Sequence, residues 1–260
     1  MKLKLISLLC LLLTWFNASS QQYGPMTRTD LHVNKYRTFQ ALVYIPEMKD
    51  ARQKFPLILC FHGRSIAGKD PSKIFREGVT RQMKEGRKIE AVNKADGKKY
   101  QFIVVAPLVE SWSFRPQDLN TVLDDIIKKY PVDVDRVYLT GYSAGGWAVE
   151  SAKTHDATLS ARIAACITMS PAMIDADHIK GFKLAADANI HTWYFTGKKE
   201  AHFNANTKQF IDSTNKYKTG LTKLTEFDGG HCCWHSFYDP SYRENGMNIY
   251  EWLLQFKRKK

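Results

Sequence analysis

Arg136-Val137-Tyr138-Leu139-Thr140-Gly141-Tyr142-Ser143-Ala144-Gly145 is the stretch on which the reading of this chain turns. An apolar run, 137–140, leads directly into Gly-x-Ser-x-Gly, and a segment of helical character, 148–152, follows. A strand, a sharp turn and a helix in that order form the setting a nucleophile elbow needs. The turn forces its central residue into a strained conformation, while flanking glycines let neighbouring backbone pass without a Cβ clash. Ser143 Oγ would then project above a sheet with a helix N-terminus behind it, where negative charge is favoured. Composition alone produces such a pattern roughly 0.06 times in a chain of this kind. Ser143 is therefore read as a nucleophile, against the plainer reading of a Gly/Ser turn.

On either side of this stretch, residues 39–46 read as a strand, and continuous apolar runs recur at 57–61, 102–106, 163–168, 192–195 and 221–227. Runs of four to six apolar residues suit strands covered on both faces, as in a parallel sheet. Between them, Leu119, Val122, Leu123, Ile126 and Ile127 fall on one stripe, and 203–217 and 248–256 have helical spacing too. Alternating strands and helices predict βαβ units, with helices on both faces of the sheet. No composition break, linker or repeat divides the chain, so residues 21–260 are expected to form one α/β domain. The basic stretch 84–99 is expected to be a solvated helix end and loop.

Of 260 residues, 44% are hydrophobic and 12% aromatic, which excludes a disordered chain; 15 Gly and 9 Pro exclude a collagen-like one. The formal charge of +12 favours acidic partners without naming one. A phosphate loop is missing from the sequence, and so is any nucleic-acid-binding motif; charge runs such as 257–260 are ordinarily solvated faces, so no nucleic-acid partner is expected. Lys2 and Lys4, an apolar run over 5–16 and the small residues Ala18-Ser19-Ser20 have the grammar of an export signal. The run is short of the roughly 20 apolar residues of a membrane span. Residues 1–20 are thus expected to be removed, leaving a periplasmic or extracellular protein with no stable membrane insertion. Cys60 and Cys166 lie within apolar runs and read as buried thiols. Cys232 and Cys233 are adjacent; a strained vicinal disulfide is open to them but not expected. His231-Cys232-Cys233-Trp234-His235 gathers ligand types without a metal-site spacing, so no metal is expected.

Together, Ser143 in its elbow and the strand–helix order resemble the α/β-hydrolase superfamily, over about residues 39–258. In that superfamily the base follows the last strand, and Phe227-Asp228-Gly229-Gly230-His231 has that placement. The resemblance therefore implies His231 as base, with His235 the local competitor. It puts the acid after the preceding strand, where Thr196-Gly197-Lys198-Lys199-Glu200 offers Glu200. Asp175 and Asp177 are alternatives, and Asp228 is too near His231 to be preferred. Cys60-Phe61-His62-Gly63-Arg64 resembles the family's His-Gly segment. It implies an oxyanion hole from the amides of Arg64 (or Ser65) and Ala144, with His62 a structural hydrogen bonder. Within the superfamily, this segment, the 104–107 strand with Trp112 soon after, and the aromatics near His231 look like secreted polyhydroxybutyrate depolymerases and feruloyl or acetylxylan esterases. Trp112 and Trp234 are then candidates to line a substrate cleft; Trp147 is read as packing.

The resemblance implies hydrolysis of a small-molecule or polymer-borne carboxylic ester through an acyl-enzyme, with no cofactor. Two other readings stand beside it. One is a serine peptidase of the prolyl-oligopeptidase type, which shares fold and triad. The other is a non-enzymatic binder on a hydrolase fold.

Overall fold

The computed structural model describes residues 21–259, so the expected export signal lies outside the described residues. Among the described residues eleven strands run in chain order. The first four are β1 (Gln22–Tyr23), β2 (Met26–Asn34), β3 (Arg37–Tyr44) and β4 (Phe55–Phe61). A small hairpin follows, β5 (Glu90–Val92) and β6 (Lys99–Gln101), then β7 (Ile103–Leu108) and β8 (Val132–Tyr142). The last three are β9 (Ala165–Met169), β10 (His191–Gly197) and β11 (Thr222–Phe227). Interleaved helices are α1 (Gly78–Lys84), α2 (Leu119–Lys129), α3 (Ala144–Lys153), α4 (Ala157–Ser160) and α5 (Ala176–Lys180). After them come α6 (Phe182–Asp187), α7 (Ala201–Asn215), α8 (His235–Tyr238) and α9 (Ile249–Leu253).

Nine strands form one sheet in the order β1-β2-β3-β7-β4-β8-β9-β10-β11. From β7 to β11 every pairing is parallel, whereas β1, β2 and β3 join antiparallel at one side. The mostly parallel sheet expected from the apolar runs is present. Alternation splits each central strand between two cores: Leu57 and Leu59 enter one, Ile58 the other. The stripe of α2 and the apolar residues of α3 cover the first face; α1, α8 and α9 cover the second.

Two segments differ from the sequence reading. The polar stretch before residue 39 contains β2, whose Met26 and Leu31 are buried while its other positions are half-buried or exposed. A strand so sparsely buried, next to the sheet's edge, lacks the continuous apolar run that marks a central one. The basic stretch 84–99 is not all loop, since β5 and the start of β6 fall within it. Strands of three residues are too short for their alternation to register.

Candidate active site

Ser143 stands between the end of β8 and the start of α3 with φ 54° and ψ −118°, a conformation L-residues seldom adopt. The tightness of the elbow explains both glycines. A Cβ on Gly141 would lie 2.3 Å from the carbonyl oxygen of Gly145, and one on Gly145 would lie 2.0 Å from that of Phe61. Hydrogen bonds hold the turn: the Ser143 amide donates to Met169 O (2.9 Å), and Ser143 O accepts from the amides of Trp147 (3.0 Å) and Ala172 (3.2 Å). Deeper in α3, buried Lys153 and Glu150 pair at 2.9 Å and bond to Tyr194, Thr192 and Thr168, which ties the helix to β9 and β10. Because β4 backbone blocks any methyl at 145, Gly145→Ala is expected to cost about 3 kcal/mol, the upper end of ordinary overpacking. That is a fall of roughly 6–12 °C in melting temperature for a domain of this size. An unchanged melting curve would show that the elbow relaxes freely.

His231 and Glu200 reach the serine from two loops stapled together. The amides of Lys198 and Lys199, in the turn after β10, donate to Phe227 O and Gly229 O at 2.9 Å each. That turn delivers Glu200, and the segment it grips delivers His231. His231 Nε2 lies 2.8 Å from Ser143 Oγ, and its Nδ1 lies 2.6 Å from Glu200 Oε2. A carboxylate only accepts, so Nδ1 carries the proton, and Nε2 is left to accept from the serine hydroxyl. The Glu200 side chain is 3% exposed and that of His231 is 31% exposed. The other Glu200 oxygen accepts from Ser170 Oγ (2.5 Å), Thr196 Oγ1 (3.2 Å) and the Gly197 amide (2.5 Å). Burial opposes the Glu200 charge, but the bonds from His231, Ser170 and Gly197 outweigh it and hold the carboxyl below the ordinary glutamate range.

The alternatives lie elsewhere. His235 faces Glu77 at 3.1 Å. Asp175 caps α5 and binds His178, Asp177 pairs with Lys180, and Asp228 pairs with Lys199. His62 is buried and bridges backbone: its Nε2 accepts from the Val109 amide (3.1 Å), and its Nδ1 donates to Gly63 O (2.9 Å). Burial lowers its pKa, which favours the neutral ring this pairing needs. The amides of Arg64 and Ala144 each open a helical turn, so neither has an acceptor within its own helix.

Trp112 is 41% exposed, with the Arg64 guanidinium 5.9 Å from its ring centroid. Trp234 is buried at 8% and belongs to the support of the imidazole, not to a cleft wall. Its ring stacks on Tyr142 at 5.0 Å and meets His231 edge-on at 4.7 Å, while its Nε1 donates to Ser170 Oγ (2.9 Å). On its far side the imidazole stacks on Phe203 at 3.7 Å. No motif in the sequence marks Ser170, Thr196 or Phe203 for this site. Ser170 follows β9 with φ 44°, and a serine at a strand end before Pro171 is the one local sign of it.

The adjacent cysteines differ from expectation: Cys232 and Cys233 form a disulfide. Cys233 adopts φ 67°, in the left-handed region that non-glycine residues seldom enter. Cys60 and Cys166 are free, and burial pushes the Cys166 thiol up to about 12. Among the described residues no helix is long and apolar enough to cross a membrane.

No protein-family model and no curated protein sequence matches the chain. Solved structures do. A thermostable esterase superposes with TM-score 0.66 at 17% identity, over 90% of this chain and 64% of its own, so this chain spans less than two thirds of that protein. A feruloyl esterase module from Clostridium thermocellum gives TM-score 0.61 at 15% identity, over 89% and 87% of the two chains. An S-formylglutathione hydrolase from Staphylococcus aureus gives 0.59 at 14%, over 90% and 99%. With its strand order and its strained serine between β8 and α3, the chain has the α/β-hydrolase fold.

Proposed function

We propose that the protein is a serine hydrolase of carboxylic esters. The observation that carries this reading is the unbroken hydrogen-bonded line Ser143–His231–Glu200 at the head of the elbow. His231 takes the Ser143 proton as Oγ attacks the ester carbonyl, and Glu200 stabilises the imidazolium that forms. The amides of Arg64 and Ala144 receive the oxyanion, an effect worth about 3–4 kcal/mol per donor in comparable sites. His231 then protonates the departing alcohol, and afterwards draws a proton from the water that releases the acid. Trp112, exposed beside the Arg64 guanidinium, is assigned to substrate contact. The esterase and hydrolase names of the structural neighbours support the ester over the amide, and residues 1–20 support action outside the cytoplasm.

A serine-directed fluorophosphonate tests the reading together with two substrates, p-nitrophenyl acetate and a prolyl p-nitroanilide. The expected result is labelling on the Ser143 peptide, rapid ester hydrolysis and negligible amide hydrolysis. An unlabelled protein would point to a binder, and preference for the anilide to a peptidase.

A further inference from the structure

The edge hairpin of β2 and β3 carries polar residues where the core should continue. In its register Arg28 faces Leu42 and Asp30 faces Gln40, so these four share one face of the sheet with Met26. Met26 and Leu42 are buried in the core on that face. Beyond them the face turns to Arg28, Asp30 and Gln40, and opens into a cavity of about 580 Å³. The far wall is the loop after β7, including Ser113 and Arg115.

Four cations line this space against two carboxylates. Two of the cations are committed. Arg37 grips Asp118 through both guanidinium nitrogens (2.9 and 3.0 Å), and Lys69 faces Glu110 at 3.6 Å. The guanidinium groups of Arg28 and Arg115 have no hydrogen-bond or ion-pair partner among the described residues. Two neutral atoms are also left over: Ser113 Oγ, in a side chain of a residue only 6% exposed, and Gln40 Oε1. Buried polar atoms are ordinarily satisfied, and these two sit in the cavity wall without a partner.

The leftover groups define a chemistry. Arg28, Arg115 and the Ser113 hydroxyl donate, which suits an anionic oxygen; guanidinium forks fit a carboxylate or sulfate edge. Gln40 Oε1 and Asp30 accept, which suits hydroxyl groups on the same molecule. We propose that this cavity is a subsite for an acidic sugar unit. It abuts the proposed oxyanion loop: Gly68 donates to Val109 O at 3.0 Å, and His62 accepts from the Val109 amide. The strand carrying its outer wall, β7, is two strand spacings from β8, roughly 10 Å. A short acidic oligosaccharide spans from the cavity to Ser143. Resting on the ester-hydrolase reading, the substrate class becomes an ester borne by an acidic glycan.

Binding is measured without hydrolysis, so failure here leaves the esterase reading untouched. The wild-type protein is titrated by calorimetry with trigalacturonate, with a sulfated galactose oligomer and with neutral galactotriose. At least one acidic probe is expected to bind about tenfold or more tighter than the neutral one, and which one binds names the anion. Arg115→Gln and Arg28→Gln, with wild-type melting temperatures, are each expected to weaken it about ten- to hundredfold. Added salt should weaken it further. Equal affinity for neutral and acidic probes, no binding to any, or full affinity in both variants overturns the proposal.

Discussion

Ser143→Ala is expected to lower kcat for p-nitrophenyl acetate by roughly 10⁴–10⁶-fold while leaving the melting curve in place. The magnitude follows from what the hydroxyl does. On the proposed mechanism no acyl-enzyme forms without Oγ, and the remaining rate comes from water attacking a carbonyl polarised by the amides assigned to the oxyanion, those of Arg64 and Ala144. His231→Ala should fall by a similar factor. The double variant should be scarcely worse than either, because the two groups act in one step and their effects do not add. Steady-state rates of the three proteins beside wild type decide the matter. Equal rates for wild type and Ser143→Ala would remove the serine from the chemistry, and additive losses would separate the histidine from it.

The second large effect is expected from Glu200→Gln, about 10⁴-fold in kcat, with little change in KM. Here the surroundings dictate how the amide must sit. Ser170, Thr196 and the Gly197 amide all donate to Oε1, so the amide oxygen takes that place and the NH₂ turns to His231 Nδ1. Nδ1 must then accept, which moves the ring proton to Nε2, facing Ser143. An imidazole in that tautomer cannot take the serine proton. Stability responds with a definite sign. Folding depresses the Glu200 pKa, so its ionisation stabilises the fold above the unfolded glutamate value, and that contribution disappears as pH falls through the folded value. The melting-temperature gap between wild type and Glu200→Gln should therefore close on acidification. A gap independent of pH, or a variant of near wild-type rate, would relieve Glu200 of the orienting role.

How much could be read from the chain depended on whether a role was local. The elbow is local: strand, Gly141, Ser143, Gly145 and helix follow within a few residues, and the covered strands announce themselves as apolar runs. Glu200 and His231 were implied only by the resemblance to the α/β-hydrolase superfamily, which puts the acid and the base just past the last two strands. Ser170 and Phe203 could not be found in this way, since their importance lies in a contact made across the fold with Glu200 and His231. Trp234 shows the same limit from the other side. Its neighbour in sequence is the histidine, but its burial against Tyr142 and Ser170 is a tertiary matter. β2 escaped because it buries only Met26 and Leu31, five residues apart, and so shows neither a continuous apolar run nor an alternation. Cys232 and Cys233 depended on one backbone angle that no composition reveals.

The two glycines of the elbow are demanded by backbone, one by Gly145 O and the other by Phe61 O, and neither demand mentions a substrate. The pattern by which a protein like this is recognised therefore belongs to its architecture before its activity. A descendant that had lost Ser143, or the histidine opposite it, would still inherit Gly141 and Gly145 for as long as it folded. The motif outlives the reaction, so ancestry can be read from the glycines, but a living enzyme only from the three side chains that meet above them.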